Sequence, residues 1–158
     1  MTTDLLVLGL GNPLRGDDGV GPRVVELLKR EGLPAGTEAL DAGAAGFDLL
    51  DLLAGSRALG GDSPQRVIIV DAADVGLEAG QFARFTPDEV ELRGAAEKPA
   101  SHQAGLAEVL ALARALGRTL PEIVIFGVQP GSLEWGAGLT AEVDAALPLL
   151  MEAVLREV

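Results

Sequence analysis

The chain has 158 residues, 48% of them apolar and 23% charged, which suits one folded domain over residues 1–158 rather than a disordered chain. Its 24 acidic against 12 basic residues give a net charge of -12, a field that repels phosphate backbones and argues against nucleic acid as a partner. Cysteine is absent, so disulfides and thiolate metal sites drop out and only His, Asp, Glu and neutral oxygens remain as ligands.

The opening, "MTTDLLVLGLGN", has no basic leader, and its apolar run has the length of a strand rather than of a signal peptide. No stretch reaches the length of a membrane span, so a cytoplasmic location is expected, with no membrane insertion. Strand character over 4–11 ends at Gly11, Asn12 and Pro13. "GVGPRVVELLKREG" then places Val20, Val24, Leu27 and Leu28 at helical spacing, with Pro22 in the first turn and Gly32 past the end. A second strand is expected over 37–43 and a short amphipathic helix over 45–55.

The strongest strand is "VIIVDAAD", 67–74. An edge strand with a turn at Pro87 is expected within 80–90, and a loop over 93–101. "HQAGLAEVLALARALG" reads as a helix with Leu106, Val109, Leu110 and Ala113 on one face, followed by a buried strand at 122–128, a loop "GSLEWGAG" and a last helix over 140–157. Continuous apolar strands alternating with amphipathic helices indicate a mostly parallel sheet covered on both faces. Sites in such folds form beyond the carboxyl ends of the strands. Three strands here end in acids: Asp17 with Asp18, Asp41, and Asp71 with Asp74. His102, the only histidine, lies in the loop leading to the fourth helix.

The glycine-rich turn at 9–21 is not a dinucleotide fingerprint. Leu14 stands where a third glycine is required, no Walker lysine follows, and two acids would repel a pyrophosphate. A serine hydrolase lacks its G-x-S-x-G elbow, and Ser101 reads as a helix N-cap. One imidazole and two carboxylates from separate loops form an open set for a first-row divalent metal. Structural roles compete: Asp18 as cap of the helix near Gly19, Asp71 as a turn or cap residue, and His102 as an ordinary solvated side chain. Asp71 follows the buried run "VIIV", where a charge needs hydrogen bonds or a cation.

"LVLGLGNPLRGDDGVGPRVVE", "LDAGAAGFDLL", "VIIVDAAD" and "ASHQAGLAEVL", continued by "IVIFGVQP" and "GSLEWGAGLT", together resemble the hydrogenase maturation endopeptidases over nearly the whole chain. The resemblance implies a three-layer α/β/α sandwich. It also implies an aspartyl-type or metal-dependent hydrolase that trims the C-terminal extension from the [NiFe]-hydrogenase large-subunit precursor after nickel insertion.

Carried onto this chain, the family's catalytic and metal-contacting residues fall on Asp18, Asp71 and His102, with Asp17 as a neighbour. Asp41, Gly43 and Gly46 shape the substrate groove. Nickel is then supplied by the precursor, no organic cofactor is bound tightly, and metal occupancy is expected to be weak without the precursor. Metal could activate water, or Asp17 or Asp18 could act as general base. Two alternatives remain: a non-catalytic chaperone for the same subunit, and an esterase like bacterial peptidyl-tRNA hydrolase, which shares "GLGNP" but has a catalytic histidine after its turn.

Overall fold

The structure, a computed structural model, describes residues 3–43, 64–89, 101–117 and 119–158, with backbone alone for 101–105 and 107. The helix expected over 45–55, the loop over 93–101 up to its last residue, and Gly46 lie outside the described residues. Five strands form one sheet: β1 (Leu5–Leu10), β2 (Thr37–Gly43), β3 (Arg66–Ala72), β4 (Phe82–Phe85) and β5 (Glu122–Val128), in the order β2-β1-β3-β5-β4. Four run parallel, and β4 pairs antiparallel with β5 at the edge. The helices are α1 (Val20–Glu31), α2 (Ser101–Ala115) and α3 (Ala141–Arg156).

Strand alternation divides the core into two layers. Val7, Ile68, Val70, Val124 and Phe126 face α1 and α3, meeting Val24, Leu28, Val143 and Leu150. Leu6, Leu8, Val67, Ile69 and Ile125 face the other way, against Leu106, Val109, Leu110 and Ala113 of α2. The sheet is therefore the middle layer of an α/β/α sandwich, mixed only at its edge.

From β1 the chain crosses to β2 on one side, and β3, the next strand, lies on the other side of β1. That reversal opens a crevice at the carboxyl ends of β1 and β3, where open α/β sheets carry their sites. Two glycines let α1 press close to it. A Cβ on Gly21 would lie 2.4 Å from the Leu10 carbonyl oxygen and 2.6 Å from that of Val70, and one on Gly9 would lie 2.4 Å from the Gly21 oxygen. These glycines serve helix–sheet contact, not phosphate binding.

Candidate active site

Between β1 and α1 the chain makes a single 3-10 turn, Gly16–Gly19. Gly16 enters it at φ 55, and a Cβ there would meet the Ser132 carbonyl oxygen at 2.5 Å. With about three residues per turn, consecutive side chains in a 3-10 helix diverge by about a third of a circle. Asp17 and Asp18 are both buried, 0% and 1% exposed, yet they have different partners.

Asp17 faces the loop after β5. Its Oδ2 accepts hydrogen bonds from the N–H groups of Gly131 (2.7 Å) and Ser132 (3.1 Å) and from the Thr140 hydroxyl (2.9 Å). Its Oδ1 accepts the Thr140 N–H at 2.7 Å. Four donors engage this carboxylate, which removes Asp17 as a general base. The sequence alone leaves that role open, and only the fold brings residues 131–140 to it.

Asp18 is not a helix cap. Gly19 holds the N-cap position of α1, without a side-chain hydrogen bond. Asp18 Oδ2 instead accepts the Asn12 N–H at 2.8 Å, closing the turn on itself. Asn12 in turn accepts the Leu14 N–H at 2.9 Å through Oδ1. Asn12 is a supporting residue that sequence reasoning treats only as a strand terminator.

Asp71 lies inside β3, opposite Gly127 of β5, so it is neither a turn residue nor a cap. It is 3% exposed, and its Oδ1 has no hydrogen-bond partner among the described residues. Burial first, and then the neighbouring Asp18 charge, raise its pKa from 3.8 to about 8, against a lowering by the Ala72 backbone N–H. Two buried carboxyl groups thus share the crevice, and the interior disfavours ionising both without a cation.

By alternation along β3, Asp71 projects to the same side as Val67 and Ile69, the side covered by α2. His102 is the second residue of α2; its side chain lies outside the described residues. Among the described residues no group of three or more His, Asp or Glu has metal-binding spacing, so the described part of the site is the pair Asp18 and Asp71.

Asp41 is exposed at the end of β2, where a register shift pairs Gly9 with Asp41 and Leu10 with Gly43. Its Oδ1 accepts the Gly43 N–H at 3.0 Å, and Gly43 takes φ 63. Asp41 lines an open groove of about 470 Å³ together with Pro13, Gly19, Pro22 and Leu139.

Residues 22–157 match a protein-family model described as hydrogenase maturation protease. The chain belongs to the hydrogenase maturation protease family. Among curated relatives of this protease, the hydrogenase expression/formation protein HupD of Bradyrhizobium diazoefficiens is 39% identical over 141 residues, covering 88% of this chain and 69% of that one.

Solved structures agree on the fold. The hydrogenase maturating endopeptidase HybD from E. coli superposes with a TM-score of 0.80 at 35% identity, covering 99% of this chain and 91% of the other. The [NiFe] hydrogenase maturation protease HybD from Thermococcus kodakarensis gives 0.75 at 27% identity, covering 99% and 98%. Membership makes the chain a peptidase and sets aside the esterase reading. Among the described residues of this protease, no helix is long and apolar enough to cross a membrane.

Proposed function

We propose that this protease removes the C-terminal extension of a [NiFe]-hydrogenase large-subunit precursor once nickel is in place, and that Asp18, Asp71 and His102 recognise the nickel. The observation that carries this reading is the Asp71 carboxyl, buried at the end of β3 with one oxygen that has no hydrogen-bond donor among the described residues and with Asp18 as its charged neighbour. A divalent ion on the precursor satisfies that oxygen and offsets both negative charges.

His102 completes the set as the nitrogen ligand. Asp71 faces the α2 side of the sheet, and the short connection from α2 into β5 directs the first turn of the helix toward the carboxyl ends of the strands. Asp41 lines the groove that receives the extension, and the family resemblance assigns Gly43 and Gly46 to the same role. The Thermococcus relative is a [NiFe] hydrogenase maturation protease, in keeping with nickel as the recognition element.

Cleavage is then hydrolysis. Water oxygen bonds to the scissile carbonyl carbon, the carbon–nitrogen bond breaks, and the proton released by water ends on the leaving amine. Nickel bound to the precursor polarises the carbonyl or the water. The buried carboxylates orient it, and no serine or cysteine nucleophile is required.

The test is mass spectrometry of nickel-loaded and nickel-free precursor incubated with the protease. Loss of a C-terminal peptide from the loaded form alone is expected. Equal cleavage of both forms contradicts nickel recognition, and a stable complex with no mass change favours a chaperone.

A further inference from the structure

Trp135 is the only tryptophan in the chain, and it is 70% exposed on the loop between β5 and α3. Leu14, 66% exposed, lies on the turn leading to Asp18. Isolated exposed apolar residues are ordinary; these two are held together by backbone. Arg15 and Trp135 form an antiparallel bridge, and the Gly136 N–H donates to the Leu14 carbonyl at 2.7 Å.

The Arg15 guanidinium carbon sits 5.8 Å from the centroid of the indole ring. The Asp18 N–H donates to the Arg15 carbonyl at 3.1 Å, so this apolar pair is joined by backbone to the carboxylate that the proposed function assigns to nickel. Asp17 fastens both ends of the loop that carries the tryptophan, at Gly131, Ser132 and Thr140.

Resting on the function proposed above, we infer that Leu14 and Trp135 form a fixed contact for an apolar side chain of the precursor beside its nickel site, and that Asp17 is the positioning residue that presents it. Rigid, exposed aromatic anchors are the residue type that dominates binding at protein contacts, and fixing them beforehand lowers the ordering cost of association. A second copy of this chain is the weaker occupant, because two bodies each carrying a net charge of -12 repel.

The experiment compares wild type, Trp135→Ala, Trp135→Phe, Leu14→Ala, Asp17→Asn and the double variant Asp17→Asn with Trp135→Ala. Binding of nickel-loaded precursor gives Kd, and cleavage gives KM and kcat. Trp135→Ala is expected to raise Kd and KM about tenfold with a much smaller change in kcat; Leu14→Ala changes them in the same direction, and Trp135→Phe restores most of the loss.

Asp17→Asn is expected to raise KM, and the double variant to be no worse than Trp135→Ala alone. Should Asp17→Asn not fold, Thr140→Val, which removes one of its four donors, supplies the same comparison. Fluorine-labelled tryptophan in this chain gives one resonance, which should shift when precursor binds.

Kd and KM within twofold of wild type for both Trp135→Ala and Leu14→Ala overturn the contact. Additive effects of Asp17→Asn and Trp135→Ala overturn the positioning role. A wild-type dimer dispersed by Trp135→Ala assigns the patch to self-association and also overturns the proposal. Precursor that binds through Trp135 but is never cut preserves this contact and sinks the proposed function.

Discussion

Asp17 and Thr140 meet through two hydrogen bonds, one from the threonine N–H at 2.7 Å and one from its hydroxyl at 2.9 Å. Thr140 is also the N-cap of α3, its oxygen accepting the Val143 N–H at 3.4 Å. One buried carboxylate thereby ties the first turn of one helix to the start of another. Asp17→Ala leaves three backbone N–H groups and a hydroxyl without their acceptor and is expected to cost about 3 kcal/mol. Chemical denaturation measures it; a loss below about 0.5 kcal/mol, the range of neutral surface changes, contradicts the assignment.

The Asp71 shift sets a pH dependence in the protein without metal. Its carboxyl has a pKa of 3.8 when unfolded and about 8 when folded, so between those values the folded state holds more protons. Stability is then fully present below about pH 4 and falls as pH rises toward 8, where the charged, buried form takes over. Thermal melts from pH 5 to pH 8 on wild type and Asp71→Asn are expected to converge at low pH and separate at high pH, with the amide variant the more stable. Parallel curves would remove Asp71 as the titrating group.

Much of the fold is legible in the sequence because burial writes it there. β2 and β5 span the expected residues, and Leu106, Val109, Leu110 and Ala113 form the expected buried face of α2. Asp71 is identifiable as unusual because a carboxylate directly follows "VIIV". The separate duties of Asp17 and Asp18 are not legible. They depend on a 3-10 turn that splays adjacent side chains and on a loop more than a hundred residues away. The cap reading of Asp18 fails for the same reason, since it presumes that α1 begins directly after that residue.

Gly21 gives a test of sign. In an exposed helix, Gly→Ala stabilises by up to about 1 kcal/mol. Here the added methyl would meet carbonyl oxygens of Leu10 and Val70 at 2.4 and 2.6 Å, backbone that cannot turn aside. Gly21→Ala is expected to destabilise by about 1–3 kcal/mol, the usual cost of overpacking, and to push α1 away from the crevice. A rise in melting temperature would contradict the close approach.

The central claim is that Asp18 and Asp71 act as one anionic unit on the precursor's nickel. Cleavage of nickel-loaded precursor by folded Asp18→Asn, Asp71→Asn and the double variant tests it most directly. Each single substitution is expected to lower the rate by on the order of a hundredfold or more, and the double variant to lose little beyond that, as groups acting together do. Cleavage within twofold of wild type by both single variants would contradict the account.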